Sequence, residues 1–214
     1  MFSKAAQFSR EVKSELQKAT WPWDPKERGM KKYRELVDST LIVLIGMLLD
    51  QQVPMEWAFT GPHTLQTRLG HLDASLIAAM APDELVAACC AKPAIHRYPA
   101  AMGRRIHELC AALVERFDGR GEQLWAGVLD GADLYGRLRS LPGFGDEKSK
   151  IFIALLGKRF GVRPAGWEMA AGVFADTAPR SVADIHDASS LADVRAWKKA
   201  AKAAKRDKQD RPVG

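Results

Sequence analysis

An all-α fold is predicted by three observations. Apolar residues recur at three- and four-residue spacing along most of the chain. Long alternating runs of β-branched residues are missing, and Gly and Pro fall where helices should end. Of the 214 residues, 47% are hydrophobic and 27% charged, a globular balance and not a disordered one. That length allows one ordinary domain, or two small lobes sharing a cleft.

The elements follow in order. Residues 4–19 form a polar amphipathic helix, closed by Thr20-Trp21-Pro22-Trp23-Asp24-Pro25, whose prolines forbid continuation. A second helix covers 26–52 and ends near Val53-Pro54. A third runs from Met55 to Leu69 with a break at Gly61-Pro62. Asp73 opens a short helix, and Pro82-Asp83-Glu84 opens another, proline early and acids in the first turn to suit the helix dipole. From Pro99 to Phe117 the stripe Met102, Ile106, Leu109, Leu113 and Phe117 marks a long amphipathic helix that stops at Asp118-Gly119. Helices over 121–129 and 131–139, a glycine turn, and a helix over 146–160 complete the series, and residues 198–205 are rich in Ala and Lys.

Several function classes drop out. Cys89, Cys90 and Cys110 are odd in number and form no CxxC, which argues against a disulfide framework or a four-cysteine metal cluster. Three buried, inert thiols in a reduced intracellular protein fit better. His96, His107 and His186 lack ligand-like spacing, so no metal site is expected. The first twenty residues carry no apolar signal core. The apolar run Leu41–Leu49 would span about 14 Å as helix, against a hydrocarbon core of about 30 Å. It reads as a buried core helix. The net charge of +6 suits a polyanionic partner, but much of it lies at the two ends, and charge alone does not settle the partner.

The sharpest local signal is Leu141-Pro142-Gly143-Phe144-Gly145-Asp146-Glu147-Lys148-Ser149-Lys150. Two glycines around one apolar residue give a tight turn that exposes successive N–H groups. A helix starts at once, so its free N–H groups and positive dipole end face the same point. The product is a phosphate site made of main chain, with Lys148 and Lys150 adding charge and Phe144 plugging the turn into the core. A generic helix–turn–helix connection is the plainer reading of the same residues.

This stretch resembles the hairpin of the helix-hairpin-helix–GPD superfamily of base excision repair glycosylases. Upstream, Leu44-Ile-Gly-Met-Leu-Leu-Asp-Gln-Gln-Val53 is similar to the helix end where that superfamily runs an apolar stretch into a glutamine facing DNA. Together the two matches cover residues 41–205. Lys158-Arg-Phe-Gly-Val-Arg-Pro-Ala-Gly-Trp167 resembles a subgroup from high-GC bacteria. The resemblance implies a two-lobed fold and a hairpin gripping phosphates beside a lesion, Gly143, Phe144, Gly145, Lys148, Ser149 and Lys150 being its contacts. A monovalent cation is often bound by the hairpin carbonyls in the family. Gln51 and Gln52 would face DNA, with Gln52 entering the gap left by an extruded base, whose flipping costs a few kcal/mol. The plainer alternative for Gln51 and Gln52 is the polar surface of a helix end.

Two departures bear on mechanism. Bifunctional members carry a Schiff-base lysine at the second position after the hairpin's last glycine. Glu147 stands there, and Lys148 is rotated about 100° from it, which implies loss of the lyase step. The family's catalytic aspartate lies roughly two dozen residues beyond the hairpin; here the stretch is Arg163-Pro-Ala-Gly-Trp-Glu-Met169. Glu168 is the nearest carboxylate and the expected catalytic group, or else a helix-opening acid, and Asp176 is a distant second. The cysteines of an iron–sulfur cluster are absent, so none is expected.

A second resemblance lies at the front. Residues 8–45, with Glu15-Leu-Gln-Lys-Ala-Thr-Trp-Pro22, are similar to the E subunit of the Sec protein-conducting channel. The organisation expected is therefore a translocon-like helical segment over 1–40, a glycosylase-like domain over 41–205 and a disordered basic tail over 206–214. The expected activity is monofunctional excision of a damaged base from double-stranded DNA by a cytoplasmic, nucleoid-associated monomer without stable membrane insertion. The alternatives are a non-catalytic DNA-binding protein and a membrane-associated translocation subunit.

Overall fold

A computed structural model describes residues 30–204 and Gln209, with side chains placed from Thr40 onward apart from Ala188. The expected helix over 4–19, most of the translocon-like segment and nearly all of the expected tail lie outside the described residues. The described residues are all-α: helices and irregular segments, without a strand. They divide into two compact units, one from Arg34 to Gly121 and the other from Glu122 onward together with residues 30–33.

The first unit is built from α1 (Met30–Leu49) from its Arg34 onward, α2 (Met55–Leu69), α3 (Ala74–Ala79), α4 (Pro82–Cys90) and α5 (Pro99–Phe117). The apolar run at the end of α1 is core: Val43, Leu44, Ile45, Met47, Leu48 and Leu49 are all buried. No helix among the described residues is long and apolar enough to cross a membrane. The expected break in α2 does not occur. Pro62 sits inside the helix, and Gly61 beside it is buried, where a Cβ would come 2.5 Å from Leu49 Cδ1. Close packing of α2 on the end of α1 holds the helix through a residue that cannot donate to it. Asp73 caps α3 by accepting from Leu76 N, and Pro82 opens α4 with Asp83 and Glu84 in its first turn. Arg68 closes the far end of α4, donating to the carbonyls of Ala88 and Pro93 at 2.6 Å each. Along α5 the buried stripe is Met102, Ile106, Leu109 and Leu113, and Asp118 ends the helix in the left-handed region at φ +53°. Cys89 and Cys110 are buried as expected; Cys90, one step around α4, is exposed, which corrects the expectation of three buried thiols.

The second unit comprises α6 (Gly131–Arg139), α7 (Asp146–Leu155), a π-helical segment (Leu156–Phe160), α8 (Trp167–Ala171) and α9 (Ala188–Ala203), with short 3₁₀ turns between. The helix expected over 121–129 is only a 3₁₀ turn, Gly121–Leu124. Arg137 explains the shortening: it takes the carbonyls of Gln123 and Ala126, at 3.2 and 2.9 Å, and so ties the segment to α6. The helix over 146–160 changes to π geometry at Leu156. Ile151 to Leu155 are all buried, so α7 is the central helix of this unit. Residues 198–203 continue α9, whose start is fixed by a capping box between Asp187 and Ser190.

Candidate nucleic-acid interface

The hairpin begins where α6 ends. Leu141 and Phe144 are buried, and Phe144 N donates to Leu141 O at 3.1 Å to close the turn. Gly143 lies at φ +80°, a conformation that L side chains adopt only with strain. Phe144 is 2% exposed and meets Phe152 edge-on with ring centroids 6.3 Å apart. The turn is thus anchored in the core by its middle residue, while both glycines remain exposed.

Gly145 differs from Gly143. Its φ of −75° and ψ of −177° are open to any residue, and an added Cβ would meet only Arg139 Nη1 at 3.8 Å. Neither backbone strain nor packing requires glycine there. What it provides is a bare surface over the start of α7, whose first-turn N–H groups lie beyond the reach of the intrahelical ladder.

Charge around the hairpin is partly spoken for. Lys150 pairs with Asp146 at 3.0 Å one turn up α7, and Tyr135 donates its hydroxyl to the same carboxylate at 2.8 Å. These two donors hold the Asp146 carboxyl below its usual range. Lys150 is therefore a neutralised cation, and it also reaches Gln209 Oε1 at 3.3 Å. Ser149 is fully buried with its hydroxyl unpartnered, which removes its side chain from the set of contacts expected at the surface. Its N–H already donates to Gly145 O. Lys148 and Glu147 occupy the first turn of α7, half-buried.

The sequence did not single out Arg139. It ends α6, is exposed, and donates through Nη1 to Phe144 O at 3.1 Å, bracing the hairpin while its other donors stay at the surface. The available signal was a basic residue in the last turn before a glycine hairpin, where it complements the helix dipole.

In the first unit, the two glutamines after α1 take different roles. Gln51 is a clamp: Nε2 donates to Leu48 O at 2.6 Å, and Oε1 accepts from Arg105 at 3.2 Å. Its carbonyl accepts from Nε2 of the buried His96 at 2.9 Å, and His96 Nδ1 accepts from Tyr98 N at 3.0 Å. That pair of bonds fixes the imidazole as its neutral Nε2–H tautomer. Gln52 is exposed and stands at φ +58°, a left-handed conformation costing a non-glycine residue about 1–2 kcal/mol.

The carboxylates expected to carry chemistry are placed as follows. Glu168 lies in the first turn of α8, exposed, its carboxylate making no hydrogen bond or ion pair among the described residues. The start of α8 abuts the start of α6, Gly131 N donating to Ala165 O at 2.8 Å. Beside it, Tyr135, Lys150, Gly166 and Met169 line a cavity of about 340 Å³. Asp176 is locked by Arg180, itself 1% exposed, with Nη2 2.8 Å and Nε 3.2 Å from the carboxylate. Arg180 also lies under Trp197, 5.0 Å from the ring centroid. This pairing of a buried Arg180 with a partly exposed Asp176 was not legible as such in the sequence.

Comparison of the chain with known protein families, with curated proteins and with solved structures returns no match.

Proposed function

We propose that this protein is a monofunctional DNA glycosylase, gripping the backbone of duplex DNA with its 141–145 hairpin and excising a damaged base without a covalent intermediate. The reading is carried by one observation. A left-handed Gly143, a buried Phe144 and a sterically free Gly145 feed directly into the start of α7. An oxyanion can approach bare backbone there, and the helix dipole favours it. Arg139 and Lys148 add positive charge at the same end, whereas Ser149 contributes only packing. Gln52, exposed after α1, is the candidate wedge, and Gln51 its support. The protein would act as a monomer on cytoplasmic, nucleoid-associated DNA. A monovalent cation at the hairpin carbonyls would have to share them with Arg139, which already holds that of Phe144.

A second reading has its own support. A sugar cation needs a fixed negative charge in a water-poor pocket, but Glu168 is exposed and Asp176 is neutralised by Arg180. Those placements favour a non-catalytic DNA-binding protein with the same hairpin. Incubation with a panel of single-lesion duplexes, followed by chemical cleavage of abasic sites, decides between them. On the glycosylase reading, one lesion is released and borohydride traps nothing. Glu168→Gln then lowers the single-turnover rate at least ~100-fold, about 2.7 kcal/mol of transition-state stabilisation. Binding without excision of any lesion selects the non-catalytic reading, and absence of DNA binding defeats both.

A further inference from the structure

At the end of α7 opposite the hairpin, the second unit contains a cavity of about 970 Å³. The ten residues of α7 put about 15 Å between its two ends, so this is a separate place from the phosphate site proposed above. The π-helical segment forms one wall and contributes Lys158 and Arg159, while Arg163, Trp167 and Trp197 contribute others. Segments of π geometry are rare and concentrate at functional sites.

Most charges lining the cavity already have partners. Lys158 donates to Asp184 Oδ1 at 2.6 Å and to Asp176 O at 2.5 Å. Asp184 also accepts from Arg180 N and Ser181 N at 3.0 Å each, and Asp176 is held by Arg180. Arg163 donates Nε to Gly157 O at 2.8 Å and stacks over Trp167, which leaves its exposed Nη groups available. His186 sits at 3.9 Å from Asp187, and Asp193 is at the exposed rim on α9.

Arg159 is the exception. Its Nε is buried with no hydrogen-bond partner, and among the described residues its guanidinium makes no ion pair. Burial depresses its pKa, opposed by the charges of Asp187 and Asp184. A guanidinium has five donors and no way to shed its charge at neutral pH, so one that is half-buried without a counter-charge calls for an anion, met by the face it turns to the cavity. The neighbouring walls are apolar (Trp167, Ala175, Pro179, Trp197), and the volume exceeds that of a bare inorganic ion.

We propose that this cavity binds a small organic oxyanion, a carboxylate or phosphate ester, held by Arg159 and Arg163 with its apolar body against the tryptophan-lined wall. The site does not depend on the DNA reading. Two sources share this chemistry, a free small molecule and a phosphate of nucleic acid, and the test separates them.

The arginine Nε–H signals of ¹⁵N-labelled full-length protein are followed while inorganic phosphate, benzoate, a nucleoside monophosphate or a short duplex is added. The expected result is a shift of the Arg159 signal, assigned from its loss in Arg159→Gln, with an organic anion binding more tightly than phosphate. Affinity for the small organic anion, read independently by tryptophan fluorescence, falls at least tenfold in Arg159→Gln and is unchanged in the hairpin variant Gly145→Val, whose defect is confined to duplex. Melting of Arg159→Gln checks its fold; should it be unfolded, Arg159→Lys, which keeps the charge but lacks the planar guanidinium fork, takes its place with the same expected loss. Silence of the Arg159 signal to all small anions overturns the proposal, as does undiminished binding in the folded variant. Loss of binding only in Gly145→Val moves the anion to the hairpin and also overturns it. A response to duplex alone rejects the small-molecule ligand.

Discussion

Replacing Gly145 by valine separates the hairpin's role in binding from its role in folding. The backbone at Gly145 lies at φ −75°, and the space for a Cβ is empty except for Arg139 Nη1 at 3.8 Å. The cost to stability is therefore that of exchanging a glycine N-cap for valine, about 1 kcal/mol. A phosphate oxygen, by contrast, must come within about 2.9 Å of the backbone nitrogens. A branched side chain over the start of α7 prevents that approach. Losing two hydrogen bonds to a charged acceptor, at about 1.5 kcal/mol each, removes about 3 kcal/mol, or roughly 100-fold in Kd. Gly143→Ala is the complementary change, since φ +80° makes alanine cost about 1–2 kcal/mol of fold stability. Fluorescence anisotropy with two unrelated labelled duplexes at fixed salt measures binding, and thermal melting measures stability. Gly145→Val should melt slightly below the parent, by the loss of its glycine N-cap alone, and bind both duplexes weakly to the same degree, because backbone contacts carry no sequence information. Parental affinity in Gly145→Val, or a loss confined to one duplex, would refute the argument.

Three further outcomes are expected. Gly157→Ala should lower stability by about 1–3 kcal/mol in urea denaturation, because its Cβ would overlap the Trp167 ring, where even Cδ2 is 2.9 Å away; parental stability would show that Trp167 can move aside freely. In the native protein at pH 8, iodoacetamide should modify Cys90 and spare Cys89 and Cys110, as read by peptide mass spectrometry. Burial pushes both spared thiols up to about 12, leaving roughly one part in ten thousand as thiolate. The Asp146 carboxyl is depressed by Lys150 and Tyr135, so its contribution is complete above the ordinary carboxylate range and disappears only as pH falls through the lower folded value. Asp146→Asn should therefore bring the stability profiles of parent and variant together only at strongly acid pH; convergence already at pH 5 would contradict the pairing.

Much of this architecture could be read from local pattern. The spacing of Met102, Ile106, Leu109 and Leu113 defines α5 end to end, and α6 occupies residues 131–139 as its periodicity predicts. The failures share a cause. Gly61-Pro62 reads as a break because local propensity contains nothing of Leu49, against which Gly61 packs. The 121–129 segment loses its helix to Arg137, a partner ten or more residues away. At the hairpin, the glycine pattern located the turn, but only backbone angles separate Gly143 from Gly145, and only burial removes Ser149. Arg139, and the Arg180–Asp176 lock, depend on chain segments meeting in ways that no single window of sequence encodes.

Gln52 illustrates a consequence for evolvability. Its left-handed backbone is maintained by its neighbours, Gln51 tied to Leu48, Arg105 and His96 on one side and Pro54 with φ fixed at −58° on the other. Glycine would occupy this position with less strain, so selection for stability alone would drive glutamine out of it. A side chain held there against that pressure enters any encounter with its loop already ordered, and little motional freedom remains to be lost on contact. The same restraint makes the position intolerant of gradual change. A β-branched residue would be forced from the left-handed region, and a glycine would release the loop. Short of altering Gln51 and its three anchors together, the chain has few routes by which to retune this tip.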